Sequence, residues 1–266
     1  MDVAAIAFDV NGTLVEIRTE DDREDIFRAI GHFLTYQGID LRRHQLRDLY
    51  FQRLKQQQRE SSEQYPEFDA VGIWRSIIED HMSDYTRALP PERLAQLPQS
   101  LAEMYRGIAR RRLRLYPHVR STLDTLREHF PLAIVSDGQS SYARAEVRKV
   151  GLTEYFDPIV VSGDHGFRKP DPRLFQYALD GMGVTADKTL YVGNDMYRDI
   201  NGAREIGMST VMFDSDQGTK QHEDCAPDHT ITDFRDLLAI VGVQRQSEHL
   251  QRGDPGAPSR HGCRQR

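Results

Sequence analysis

Short apolar runs, alternating with stretches of helical spacing, constrain this chain more than any other feature. Residues 3–8, 132–135, 159–161, 190–192 and 210–213 are almost wholly apolar, and polar residues or glycine follow each run. Runs this short, without polar alternation, read as strands buried on both faces. Between the later runs the apolar spacing turns helical. Val119, Leu123 and Leu126 precede the second run; residues 142–150 follow it, with Gly151 as their stop. Leu174, Phe175, Ala178, Leu179 and Met182 mark one helix face after the third run. Ile200, Ala203 and Ile206 do so after the fourth, closed by Gly207. Strands alternating with helices of this length predict an α/β fold with a parallel, doubly wound sheet.

From about residue 18 to 112 the alternation stops and the spacing is helical throughout. Ile26, Ile30, Phe33 and Leu34 form one stripe, and Leu46, Leu49, Tyr50 and Leu54 a second. Val71, Trp74, Ile77 and Ile78 form a third, and Leu94, Leu101, Met104 and Tyr105 a fourth, which Pro98 is expected to disturb. The pattern predicts a helical insertion over 18–112, set into an α/β core made of 1–17 and 113–243. Residues 56–64, rich in Gln, read as an exposed helix end and loop. Residues 244–266 carry five Arg against one Glu and one Asp, with no aromatic residue, and read as a disordered basic tail.

The formal net charge of −6 argues against general nucleic-acid binding. No apolar stretch is long enough to span a bilayer, so no membrane partner is expected. The N-terminus lacks the basic and apolar regions of a secretory signal. Cys225 and Cys263 are the only cysteines, which predicts a reducing, cytoplasmic setting without a disulfide framework.

Chemistry-bearing residues fall where the predicted strands end. Asp9 closes the first run, in Ala7-Phe8-Asp9-Val10-Asn11-Gly12-Thr13-Leu14, with Asn11 two positions on. Ser136 closes the second, in Val135-Ser136-Asp137-Gly138. Lys169 follows the third, in Arg168-Lys169-Pro170-Asp171-Pro172. Asn194, Asp195 and Asp199 follow the fourth, in Gly193-Asn194-Asp195-Met196-Tyr197-Arg198-Asp199. Parallel strands bring their carboxyl ends to one edge, so these distant residues can converge. A carboxylate there can attack phosphorus and form an acyl-phosphate that water hydrolyses. Lys169 can supply one fixed positive charge and Mg²⁺ another. Mg²⁺ prefers oxygen ligands, which Asp9 and Asp195 offer, with Asp199 in direct or outer support. Thr13, Ser136 and the backbone N–H groups near Gly12 and Gly138 can bind phosphate oxygens.

In this order, and beside these elements, the four motifs resemble those of the haloacid dehalogenase-like (HAD) hydrolase superfamily, whose nucleophile is the first Asp of D-x-D-G-T. The resemblance spans roughly residues 3–213, with the insertion in the place of a C1-type cap. It implies a Rossmannoid core, Asp9 as nucleophile, and Asn11 as a Mg²⁺ ligand through its backbone carbonyl. Asn194, Asp195 and Asp199 are then the remaining candidates for the metal site. Two positions depart from the pattern. Asn11 replaces the second Asp, which in the phosphatase branch protonates the leaving alcohol and later activates water. An amide has no titratable proton near neutral pH, and general acid–base help is typically worth about 10²–10⁴-fold. In the fourth motif Asn194 directly follows the glycine where the commoner phosphatase form has Asp, yet Asp195 to Asp199 keeps the D-x-x-x-D form.

Three functional readings follow. The first is Mg²⁺-dependent hydrolysis of a small phosphorylated metabolite through an aspartyl-phosphate on Asp9, slow or favouring good leaving groups. Ser-Asp-Gly with Gly-Asn-Asp favours it. The second is a 2-haloacid dehalogenase-type hydrolase in which Asp9 attacks carbon without metal. The third is a catalytically weak phosphate-binding protein. Ordinary structural roles are expected elsewhere: Trp74 in the core, Arg110, Arg111, Arg112 and Arg114 as a charged linker face, Asp164 and Asp171 in turns. Asp137, beside Ser136, is expected to point away from the site because strand neighbours face opposite ways.

Overall fold

The structure, a computed structural model, describes residues 2–223 and 225–243. The tail expected over 244–266, with Cys263, lies outside the described residues. The chain opens with β1 (Ala5–Phe8) and β2 (Val15–Thr19). Helices α1 (Glu24–Tyr36), α2 (Arg43–Glu60), α3 (Ala70–His81), α4 (Asp84–Arg87) and α5 (Pro91–Ala109) follow. The chain then runs through β3 (Arg110–Leu115), α6 (Val119–Leu126), β4 (Leu132–Ser136), α7 (Ser140–Lys149), β5 (Ile159–Val161) and α8 (Pro172–Met182). It ends with β6 (Thr189–Gly193), α9 (Gly202–Glu205), β7 (Ser209–Phe213), β8 (His229–Ile231) and α10 (Asp236–Ile240). Among the described residues no helix is long and apolar enough to cross a membrane.

The main sheet has the order β5-β4-β1-β6-β7-β8, and every pair in it is parallel. The alternating geometry of a strand sends β1 side chains to two cores. Ile6 and Phe8 join Leu123, Leu126, Leu190 and Phe234 on one face. Ala7 joins Phe175, Ala178, Leu179 and Tyr191 on the other, beneath α8. All four residues of β1 are fully buried, as its unbroken apolar run requires. The crossover from β1 leads to β4 on one side, and the later chain returns past β1 to β6 on the other. β1 is therefore the topological switch point, and its carboxyl end opens into the crevice where such sheets bind ligands.

The five apolar runs all lie in strands of this sheet. β8 was not legible: it is three residues long at the sheet edge, and two of them are exposed. The expectation of helix throughout 18–112 fails at both ends. β2 and β3 pair antiparallel into a ribbon, so the boundaries at 17/18 and 112/113 fall inside paired strands. One face of the ribbon is apolar, with Val15 opposite Leu115 and Ile17 opposite Leu113 against the core, while the other is charged. The alternation is short, and the arginine run at 110–112 conceals it. Glu16 lies opposite Arg114, takes hydrogen bonds from Arg112 and Arg114, and is almost fully buried. Facing opposite charges of this kind stabilise a strand pair.

Between the ribbon strands, α1, α2, α3 and α5 bury one shared cluster built on the predicted stripes, including Ile26, Ile30, Leu46, Tyr50, Trp74 and Leu101. Trp74 is fully buried against Tyr50, with ring centroids 4.9 Å apart. Pro98 does not interrupt α5, which runs on to Ala109. Proline removes only one backbone donor from a helix, and Leu97, Leu101 and Ala102, all buried around it, hold the helix to its neighbours.

Candidate active site

The β1 ladder ends with Asp9, whose backbone N–H donates to the Val192 carbonyl at 2.9 Å on β6. The Asp9 carboxyl is buried at the strand tip. Lys169 Nζ reaches it from the loop after β5, donating to Asp9 Oδ1 at 2.8 Å and to Asp199 Oδ1 at 2.6 Å. Tyr191, on β6, completes the ammonium's surroundings at 3.2 Å. One buried ammonium thus lies between two buried carboxylates. Burial pushes the Asp9 carboxyl up, Lys169 pulls it down and Asp199 raises it, leaving it at about 6. Burial opposes the charge on Lys169, but Asp199 and Asp9 hold its pKa well above the usual lysine value.

The other carboxylate oxygen of Asp9 accepts from Thr13 Oγ1 at 2.9 Å, and the same hydroxyl lies 3.0 Å from Asn194 Oδ1. Gly12 permits this approach. Its φ is +89°, and a Cβ there would stand 2.3 Å from Asn194 Nδ2. Gly193 is constrained in the same way, because a Cβ would come within 2.4 Å of the Asp199 side chain. Asp199 Oδ2 in turn accepts the backbone N–H groups of Asn194 and Asp195, both at 3.0 Å. The turn carrying it, residues 196–201, is wound as a π-helix, a form often met at functional sites.

A cavity of about 260 Å³ opens on this group, lined by Asp9, Asn11, Asn194, Asp199, Lys169 and Arg198 among others. Asn11 Oδ1 is buried on it with no hydrogen-bond partner. Four expected residues, Thr13, Ser136, Gly138 and Asp195, do not line it. Ser136 is buried at the end of β4, and its hydroxyl reaches only the Asp137 carbonyl, at 3.4 Å. The Gly138 N–H is engaged by Ser162 Oγ at 2.9 Å. Asp195 also has other work. Its Oδ1 accepts the N–H groups of Tyr197 and Arg198, and its Oδ2 accepts from Arg198 Nη2 and the Thr219 N–H. Burial raises the Asp195 pKa, but Arg198 and these backbone donors bring it down to about 2. A carboxylate filled by four donors caps the turn after β6. Among the described residues no group of three or more His, Cys, Asp or Glu is gathered for a metal ion, because Lys169 lies between Asp9 and Asp199 and an amide, Asn194, takes the forward position.

A profile of the family described as haloacid dehalogenase-like hydrolase matches residues 6–213. The chain belongs to the haloacid dehalogenase-like hydrolase family. It is 29% identical over 181 residues to glyceraldehyde 3-phosphate phosphatase of Methanocaldococcus jannaschii, a match covering 65% of this chain and 79% of that one. It is 29% identical over 180 residues to phosphoserine phosphatase of Thermus thermophilus, covering 65% and 69%. The crystal structure of a 2-haloacid dehalogenase from Pseudomonas syringae shares the fold, with a TM-score of 0.66, 22% identity, and coverage of 90% and 98%.

Several residues of this HAD-like hydrolase reach the site without having been singled out in sequence. Asp137, set aside on strand alternation, lies past the end of β4, where alternation no longer governs direction. Its Oδ1 accepts the Lys169 backbone N–H at 2.9 Å, and its Oδ2 stands 3.5 Å from Arg168 and 3.8 Å from Arg198. Arg168, Arg198, Gln217 and Gly218 also line the cavity. Arg168 adjoins Lys169 and Arg198 adjoins Asp199, so proximity to a motif was the available signal. Asp171 and Asp164 have local roles, capping α8 and pairing with Arg144. Because Asp195 acts as a cap, Asp195→Ala is expected to lower stability in urea by roughly 0.5–2 kcal/mol. An unchanged urea midpoint would remove this role.

Proposed function

We propose that this hydrolase is a Mg²⁺-dependent phosphatase that acts on a small phosphorylated metabolite through an aspartyl-phosphate on Asp9. The observation that carries the reading is the Lys169 ammonium held between Asp9 and Asp199 at the carboxyl edge of β1. Asp9 Oδ would attack phosphorus and expel the alkoxide, which takes its proton from water because Asn11 carries none, and water would then hydrolyse the acyl-phosphate. Lys169 holds the attacking carboxylate in place and offsets charge on the phosphoryl group. Thr13 fixes the second Asp9 oxygen and, through Asn194, ties β1 to the turn after β6. The phosphatase names of the two sequence relatives support this class of reaction.

Charge balance supports the metal. Three carboxylates, Asp9, Asp137 and Asp199, and three cations, Arg168, Lys169 and Arg198, line the cavity. An incoming phosphate dianion would leave that balance two charges negative, which one Mg²⁺ offsets. The oxygens lining the cavity suit Mg²⁺: the Asp9 carboxylate, Asn11 with its unpartnered Oδ1, and Asn194, whose Oδ1 shares the Thr13 hydroxyl with Asp9. We assign the metal to these three, with Asp199 orienting Lys169 and the Asn194 backbone behind them. When bound, Mg²⁺ would draw charge from the phosphoryl oxygens. Helices α1 to α5, over 24–109, serve as a cap that shields this edge from water.

The Asn11 amide leaves the leaving alcohol without its nearby acid. Asn11→Asp is therefore expected to raise turnover of unactivated alkyl phosphates by about 10²-fold, at the low end of general acid–base help, and acetyl phosphate much less. Equal gains on both substrates would refute the missing-acid account. A second reading, displacement of halide at carbon by Asp9, draws on the amides at 11 and 194. Assays of acetyl phosphate and of 2-haloacids, with and without Mg²⁺, separate the two. Phosphate turnover that needs Mg²⁺ supports the phosphatase. Metal-independent dehalogenation would replace it.

A further inference from the structure

A second chamber of about 320 Å³ adjoins the Asp9 cavity, sharing Asn11, Asp137 and Arg168 with it. A phosphoryl group on Asp9 would have its leaving group directed into this space. The wall is made by Tyr50, Phe51, Leu54, Phe68, Tyr105 and Tyr142. Tyr50 and Tyr105 stack with centroids 4.7 Å apart, and the Tyr105 hydroxyl is fixed on the Asp21 carbonyl at 2.7 Å. The surface is therefore rigid and largely apolar, with the Tyr142 hydroxyl buried on it without a hydrogen-bond partner.

Arg106 and Glu67, charged groups on the chamber that the Asp9 cavity does not share, are already engaged. Arg106 grips Glu146 with two hydrogen bonds, at 2.8 and 3.0 Å, and Arg110 adds a third contact at 3.3 Å. Arg168, shared with the Asp9 cavity, stands 3.5 Å from Asp137 Oδ2 and keeps a buried Nε without a hydrogen-bond partner, on the phosphoryl side of the chamber. Glu67 accepts from Ser162 Oγ at 2.7 Å and from the Phe68 N–H at 3.1 Å. Burial raises the Glu67 pKa, which favours its uncharged form. Away from the Asp9 cavity, a leaving group with its own carboxylate or second phosphate would meet only the guanidinium of Arg106, already held by Glu146.

We propose that the substrate is the phosphate monoester of an uncharged alcohol with a flat apolar body, about the size of a single aromatic ring or somewhat larger, seated against the Tyr50–Phe51–Tyr105–Tyr142 wall. The proposal rests on the phosphatase reading of Asp9. It differs in kind from the small polar compounds named for the two relatives.

The test compares four phosphate esters of primary alcohols, so that leaving-group chemistry stays similar: benzyl phosphate, glycerol 1-phosphate, O-phosphoserine and phosphocholine. Binding is measured by calorimetry on Asp9→Asn protein, and kcat/KM on the wild type, with acetyl phosphate as a substrate that has no body to seat. Benzyl phosphate should bind at least about tenfold more tightly than the other three, from burial of the ring, and Phe51→Ala and Leu54→Ala should each reduce that ratio. Leu54→Ala keeps the test open should Phe51→Ala fold poorly. Equal binding of benzyl and glycerol phosphates, or preference for phosphoserine or phosphocholine, would overturn the proposal. If acetyl phosphate is hydrolysed on Asp9 but benzyl phosphate has no advantage, the substrate class falls and the phosphatase stands. If nothing is hydrolysed, the phosphatase falls, and the binding ratio still decides whether the chamber selects flat apolar bodies.

Discussion

Asp9→Asn is expected to reduce phosphate-ester turnover by about 10³-fold or more, as removal of a nucleophile does, while leaving a folded protein. The same variant carries a second expectation, on stability. The folded pKa of Asp9, about 6, lies above its unfolded value because burial disfavours the charged form. Its contribution to stability is therefore fully present below the unfolded carboxylate range and is lost as pH rises through about 6. Asn carries no such ionisation, and Lys169 would keep one partner, Asp199, at 2.6 Å. In metal-free buffer the urea midpoint of Asp9→Asn should thus gain on the wild type between pH 5 and pH 8. Retained turnover would eliminate Asp9 as nucleophile. A difference in midpoint that does not vary with pH would contradict the raised pKa.

Lys169→Met should have the largest effect on stability. The substitution keeps an apolar stem but removes the ammonium from between two buried carboxylates. Breaking a buried ion pair by deleting one partner costs roughly 3–5 kcal/mol, because the remaining charge has neither water nor a counter-ion. The loss should be greatest near neutral pH and shrink toward pH 5, as Asp9 takes up a proton. Turnover should fall with it, since the attacking carboxylate loses its positioning contact. Denaturation at pH 7.5 and pH 5, beside an acetyl phosphate assay, measures both effects. A Met variant as stable and as active as the wild type would show that Lys169 neither holds the site together nor serves catalysis.

Strand positions were legible because burial on both faces leaves a short unbroken apolar run that no polar residue can interrupt. The helical stripes were legible because each helix buries one face against its neighbours. The β2–β3 ribbon was not, since each strand offers only two alternating apolar residues, Val15 and Ile17 or Leu113 and Leu115, among charged ones. The convergence of Asp9, Lys169 and Asp199 followed from parallel topology, which brings strand ends to one edge. Asp137 was misread because strand alternation was extended one residue beyond the strand.

The amino-acid sequence by itself determined the alternating elements, the site edge of the sheet, and the chemical types able to meet there, since these depend on local spacing and strand polarity. Only the tertiary structure decided that Asn194 rather than Asp195 faces Asp9, that Ser136 and Gly138 lie off the Asp9 cavity, and that an aromatic chamber stands beside the nucleophile. Those outcomes depend on which donors lie within hydrogen-bond reach of each side chain. Adjacent residues with the same chemistry compete for such partners, and only three-dimensional packing settles the competition.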